Sequence, residues 1–167
     1  MTDLHVTWDD YNRLIERLAV IVHDSGWRFD NIICLARGGL RVGDALSRIF
    51  DKPLGVMTTS SYRASGGTVQ GRLKIGDKIS CAEDVTWGRV LLADDLVDSG
   101  ETLAAVLPEL KRRYPKIEEL RTAVLWYKAV SVYRPDFYVE YLETSPWIHQ
   151  PFEAYEGCDI ETLRRTP

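Results

Sequence analysis

Two adjacent carboxylates, Asp94 and Asp95, follow the apolar run Val90-Leu91-Leu92-Ala93, and Asp98, Ser99, Gly100, Glu101 and Thr102 come soon after them. At the mouth of a buried strand the two acids repel one another unless a cation or hydroxyl groups compensate. Sugar hydroxyls together with Mg²⁺ would do this, because Mg²⁺ favours one or two carboxylates completed by phosphate oxygens and water. In the second part of the segment, Gly100 lets the backbone approach a ligand closely. Successive N–H groups at a helix start make an anion nest, and Ser99 and Thr102 add hydroxyl donors. A bare Asp-Asp pair is more often two loop carboxylates, and a bare Ser-Gly a helix cap. Here both features fall within the nine residues Asp94 to Thr102, so the segment reads as a phosphate cradle beside a hydroxyl- and metal-binding acid pair.

Residues of this kind need a scaffold that brings strand ends together. Thr7 and Asp10 form a capping-box pattern, and Tyr11, Leu14, Ile15, Leu18, Ile21 and Val22 recur at helical spacing until Ser25-Gly26. Ile32 to Ala36 is a short apolar run that gives way to Arg37-Gly38-Gly39, and a second amphipathic helix is patterned by Val42, Ala45, Leu46, Ile49 and Phe50. Leu54 to Thr58 reads as a strand, as do Val90 to Ala93, Leu120 to Tyr127 and Phe137 to Tyr141. A helix through Leu103, Val106, Leu107 and Leu110 to Arg113 contains Pro108, which predicts a late start or a kink. Strands alternating with helices predict an α/β fold, a mostly parallel twisted sheet flanked by helices. Ligands of such sheets sit at the carboxyl ends of the strands, here just after Ala36, Ala93 and Tyr127.

Composition narrows the classes of function. The chain has 167 residues with 21 basic and 25 acidic side chains, a net charge of −4, and no run of Lys and Arg, which argues against nucleic acid as the main partner. No stretch approaches the ~20 apolar residues of a membrane helix, and the polar start lacks a signal-peptide layout, so a cytoplasmic protein is expected. Cys34, Cys81 and Cys158 are few, odd in number and far apart, the pattern of reduced thiols.

The stretch from Val90 to Thr102 resembles the phosphoribosyl pyrophosphate signature of the type I phosphoribosyltransferases: four apolar residues, two acids, two apolar residues, then Asp-Ser/Thr-Gly and a Thr. Leu35-Ala36-Arg37-Gly38-Gly39-Leu40 resembles the family's pyrophosphate loop, and Ser60-Ser61-Tyr62 the start of its flexible lid. Trp147-Ile148-His149-Gln150-Pro151-Phe152-Glu153 resembles the C-terminal hood of the bacterial xanthine-guanine enzymes. The resemblance implies one domain over residues 1–167, with a core at about 26–141, a lid at about 59–76 and a small hood at about 142–160. It also implies a purine salvage enzyme that moves the phosphoribosyl group onto a 6-oxopurine.

Carried onto this chain, Asp98 is the catalytic acid or base. Asp98, Ser99, Gly100, Glu101 and Thr102 hold the 5′-phosphate, Asp94 and Asp95 hold the ribose hydroxyls, and Asp95 also faces Mg²⁺. Arg37 and Gly38 hold pyrophosphate, and Arg72 is placed to reach it when the lid closes. Lys128, Trp147 and Ile148 contact the purine. A homo-oligomer, dimer or tetramer, is implied, with Trp126 and Tyr127 as aromatic residues free to face a neighbour. Glu101, His149 and Phe152 depart from the family's pattern and bear on the choice of base. His5 and His23 have no partner motif and read as surface histidines. Two other readings are a regulator on the same fold, which a basic face would mark, and a receiver-like phosphorylation domain. The second would carry its acid pair after the first strand rather than the third.

Overall fold

The computed structural model describes residues 3–61 and 73–165; Arg72 and the expected lid residues 62–72 lie outside them. The chain runs β1 (Leu4–His5), α1 (Trp8–Asp24), β2 (Asn31–Ala36), α2 (Leu40–Phe50), β3 (Leu54–Ser61), β4 (Leu73–Ile75), β5 (Ser80–Cys81), β6 (Gly88–Ala93) and β7 (Leu96–Val97). It continues through α3 (Glu101–Arg113), β8 (Ile117–Lys128), β9 (Phe137–Leu142), β10 (Ile148–His149), a 3₁₀ turn (Pro151–Tyr155) and α4 (Ile160–Arg164).

The main sheet has the order β4-β3-β2-β6-β8-β7, with β9 also on β8 and β5 on β3. Every pair involving β2, β6 or β8 is parallel, and only β4 and β5 run against β3. The strands of a sheet covered on both sides are apolar on both, and alternate residues part to opposite faces. Ile32, Cys34, Leu91, Ala93, Ala123 and Leu125 join a core with Leu14, Leu18 and Val22 of α1 and Val42 and Leu46 of α2. Their neighbours Ile33, Leu35, Val90, Leu92 and Val124 point the other way, onto Leu103, Val106 and Leu110 of α3.

The ends of α1 follow the sequence pattern: Thr7 accepts from the Asp10 backbone N–H at 3.2 Å while its hydroxyl donates to the Asp10 carboxylate at 2.6 Å. Helix α1 and Ile148 contribute to the same apolar cluster as the sheet. Pro108 does not delay α3, which is helical from Glu101. The carbonyl that Pro108 leaves without an amide belongs to Ala104, which is exposed and can bond water. Trp126 is fully buried and packs on Tyr11 with ring centroids 6.0 Å apart, so it is a core residue and not available to a second copy. Tyr127 is half-buried and packs on Tyr138 and Tyr141.

The C-terminal segment expected to form the hood is tied to the N-terminus as well as to the main sheet. Strand β10 pairs in parallel with β1, and His149 stacks on His5 with centroids 4.3 Å apart and bonds Asp3 at 3.0 Å. His5 therefore has a partner after all, and His149 faces β1. Among the described residues no helix is long and apolar enough to cross a membrane.

Candidate active site

The acid pair sits at a break in one strand. Ala93 pairs with Ala123 and Leu96 with Trp126 in the same register, so β6 and β7 are two parts of one path along β8, and Asp94-Asp95 is the interruption. The backbone stays anchored there: the Asp94 N–H donates to the Ala123 carbonyl at 3.1 Å, and the Asp95 carbonyl accepts from Leu125 at 2.9 Å. Both carboxyls are half-buried. Burial raises the Asp94 carboxyl well above its ordinary value, and the Asp95 charge adds to the shift. Burial raises Asp95 too, against the pull of a 2.6 Å hydrogen bond donated by Gln150 Nε2 to its Oδ2.

The loop after β2 comes up against this pair. A Cβ on Gly38 would lie 2.5 Å from Asp95 Oδ1, and one on Gly39 would lie 2.6 Å from the Ala93 carbonyl oxygen, so the close approach requires residues without side chains. The peptide between Ala36 and Arg37 is cis. Arg37, Gly38, Leu40, Arg41, Asp44 and Asp95 form one wall of a cleft of about 1100 Å³, and Gln150, Phe152, Glu153, Tyr155, Glu156 and Gly157 form the other. Arg37 is exposed and reaches Glu156 at 3.7 Å.

A smaller hollow of about 100 Å³ is lined by Asp94, Leu96, Val97, Asp98, Ser99, Gly100, Thr102 and Leu103. Gly100 precedes α3 with φ +79°, the left-handed region open to glycine, and turns the chain into the helix. The loop after β8 supports it from behind: Val132 N–H donates to the Ser99 carbonyl at 2.9 Å, and a Cβ on Gly100 would press into Ser131 Oγ and lie 2.7 Å from the Tyr133 nitrogen. The side chain of Ser99 accepts from the Glu101 N–H at 3.4 Å. Glu101 itself is exposed.

At the rim, Lys128 is 5% exposed, and its Nζ lies 3.1 Å from Asp98 Oδ1. A buried ammonium is stable only when it is paired, and the partner here is the residue expected to do proton chemistry. The end of β8 thus brings Lys128 to the start of the cradle. Trp147 is half-exposed, with its indole N–H 3.4 Å from Glu153 Oε2. The Ile148 side chain is core, but β1 takes the carbonyls of Trp147 and His149, so by strand alternation the Ile148 carbonyl points away from β1. Neither Trp147 nor Ile148 is in the described lining of the cleft.

Three participants were not singled out from sequence. Gln150 is 8% exposed, and among the described residues its Oε1 is buried without a partner, as is the Tyr11 hydroxyl. Burial raises the Tyr11 phenol, and the nearby Asp95 and Asp94 charges push it in the same direction. The third, Arg41, is in the first turn of α2, four residues after Arg37. The only signals were the hood motif around Gln150 and that four-residue spacing; nothing local marked Tyr11.

The residues also fit a divalent cation. Asp95 opens into the cleft as a hard oxygen donor, and the raised carboxyls would be stabilised by a positive neighbour. Among the described residues no three His, Cys, Asp or Glu side chains converge as a complete cage, so a cation at Asp95 would draw its other ligands from water and substrate oxygens.

The carboxyl edge of the parallel sheet thus carries a glycine turn into α3, two adjacent half-buried acids and an arginine–glycine loop, the parts expected to hold phosphate, ribose and pyrophosphate. Residues 7–156 match the phosphoribosyl transferase domain model, and the chain belongs to that family of glycosyltransferases, with the type I fold. Its sequence is 28% identical over 170 residues to a xanthine-guanine phosphoribosyltransferase of Ruegeria sp., covering 93% of this chain and 92% of that one. It is 25% identical over 173 residues to the enzyme of the same name from Roseobacter denitrificans, covering 93% and 92%. The crystal structure of a purine phosphoribosyltransferase from Pyrococcus horikoshii superposes with a TM-score of 0.72 at 33% identity, over 91% of this chain and 95% of that one.

Proposed function

We propose that the chain is a Mg²⁺-dependent purine salvage enzyme of the cytoplasm. It transfers the 5-phosphoribosyl group of phosphoribosyl pyrophosphate to a 6-oxopurine, guanine, xanthine or hypoxanthine, and releases the nucleoside 5′-monophosphate and pyrophosphate. The observation that carries this reading is the buried Lys128, fixed 3.1 Å from Asp98 at the lip of the cradle. An ammonium there is a donor suited to an exocyclic purine oxygen, and the carboxylate beside it suits a ring nitrogen. The names of the two xanthine-guanine relatives point the same way.

In this reading residues 1–167 act as one domain, with residues 59–76 as its lid, 142–160 as its hood and Arg72 on the lid. The N–H groups and hydroxyls of Asp98 to Thr102 hold the 5′-phosphate. Asp94 and Asp95 bind the ribose hydroxyls, and Asp95 would also hold Mg²⁺. When bound, the metal would neutralise charge on the departing pyrophosphate. Arg37 and the Gly38 backbone bind that group and stabilise its growing charge, more strongly in the transition state than before it. The acid pair favours the positive character that develops on the sugar. Asp98 holds or takes the proton at the purine ring nitrogen that attacks C1. Trp147 stacks on the base, and the Ile148 carbonyl meets its edge. The working form is a homo-oligomer.

The test is a product assay with phosphoribosyl pyrophosphate, Mg²⁺ and guanine, xanthine, hypoxanthine, adenine or uracil, with nucleotide formation followed by chromatography. Turnover of at least one 6-oxopurine, lost in Asp98→Asn, is the expected result. Turnover of adenine or uracil alone would refute the base assignment, and full activity of Asp98→Asn would refute its role.

A further inference from the structure

Arg41 is the second residue of α2, and no acidic residue lies in the first turn of that helix. A cation at this end opposes the helix dipole, so the position is unfavourable for arginine unless something negative compensates. No carboxylate among the described residues pairs with it. The cleft's acids are engaged elsewhere: Asp44 with Arg48, Glu156 with Arg37, Glu153 with the Trp147 indole and Asp95 with Gln150.

The side chain is nevertheless held in place. Its Cζ lies 4.6 Å from the ring centroid of Trp8, at the start of α1, and 5.6 Å from that of Phe152 in the hood. Aromatic rings stabilise a guanidinium through its faces, whereas its five N–H donors lie on the rim in the plane. A guanidinium packed in this way keeps its donors for a planar, bidentate contact with phosphate. Arg41 lines the same cleft as Arg37 and Gly38.

We infer that Arg41 is a second arginine for the pyrophosphate group, beside Arg37, with Trp8 and Phe152 as its positioning residues. The inference rests on phosphoribosyl pyrophosphate being the donor. It gives Phe152 a role on the phosphate side of the cleft, distinct from contact with the base.

The competing role is mechanical, a latch holding the hood against α1, and the experiment separates the two. Pyrophosphate binding in the presence of Mg²⁺ is measured by calorimetry, alongside steady-state KM values for donor and base, for the wild type, Arg41→Met, Arg41→Lys, Phe152→Leu and Arg37→Met. The expected result is a loss of about tenfold or more in pyrophosphate affinity, and a matching rise in donor KM, for Arg41→Met, the scale of one charged hydrogen bond. Lysine recovers only part of it, because an ammonium lacks the planar fork. Phe152→Leu shifts the same two constants by less and also lowers Tm, because its ring packs on Tyr11 as well. Base KM stays at its wild-type value in both variants, and Tm stays at its wild-type value in Arg41→Met. Unchanged pyrophosphate affinity in Arg41→Met beside a weakened Arg37→Met would overturn the inference and leave the functional reading intact. A change confined to base KM or Tm would assign the latch instead. Wild-type protein that binds neither donor nor pyrophosphate would overturn the functional reading, and the inference with it.

Discussion

Gly38→Ala tests whether the contact between the loop after β2 and the acid pair matters for chemistry or only for packing. The new methyl would stand 2.5 Å from Asp95 Oδ1, against the 3.4 Å at which ordinary contact begins, so the carboxyl must retreat by about 0.9 Å. It is the free end of a side chain and can move, at the expense of its 2.6 Å bond from Gln150. Losing that charged hydrogen bond costs about 1.5–3 kcal/mol at most, and less if water replaces the amide. A misplacement approaching 1 Å in a reacting constellation costs about 100-fold in rate. Steady-state kinetics with varied phosphoribosyl pyrophosphate, combined with thermal unfolding, separates the two. The expected outcome is a fall of about 100-fold in kcat/KM with the protein still folded. Wild-type kcat/KM in a folded Gly38→Ala protein would refute the claim that Asp95 must stand where the loop holds it.

Lys128→Met should raise the KM for the purine by about tenfold or more, the loss of one charged donor. It should cost less than about 1 kcal/mol of stability, because its partner Asp98 is 57% exposed and rehydrates; an unchanged purine KM would remove Lys128 from the base site. Gly100→Ala should destabilise by about 2–4 kcal/mol, combining a non-glycine residue at φ +79° with overpacking against the Ser131–Tyr133 loop, as read from urea unfolding. Cys34 is buried, and its thiol is pushed up to about 11 from 9.0, mainly by burial and next by the Asp94 charge. Between those values the folded chain keeps a proton that the unfolded chain has lost, so stability is full below about pH 9 and falls as pH rises toward 11. Urea midpoints across that range should decline less steeply in Cys34→Ala. Thiol labelling of the native protein at pH 8 should modify the exposed Cys81 and spare Cys34.

The parts of this protein that follow from neighbours in sequence are legible in the sequence alone. Helix α1 is written in its capping residues and 3.6-residue period, and the buried strands in runs such as Ile32–Ala36 and Val90–Ala93. Local chemistry made the turn into α3 readable too, since a glycine with a positive φ and hydroxyls at a helix start need no distant partner. Strand-end logic brought Lys128 toward Asp98, because two parallel strands expose their carboxyl ends on the same edge. What had no local signature was any pairing across long stretches of chain. Strand β10 meets β1 nearly the whole sequence away, the Gln150 amide reaches a carboxylate 55 residues earlier, and Arg41 is clasped by rings from α1 and the hood. Trp126 shows the same limit from the other side: an aromatic residue in a strand looks alike whether it faces a partner or the core, and only the packing of Tyr11 on it decides. Sequence by itself determined the long helices and the buried strands, through short-range sterics and hydrogen bonding. Tertiary structure alone decided how the hood, the N-terminal helix and the acid pair close on one cleft, because those contacts depend on the whole chain having already folded.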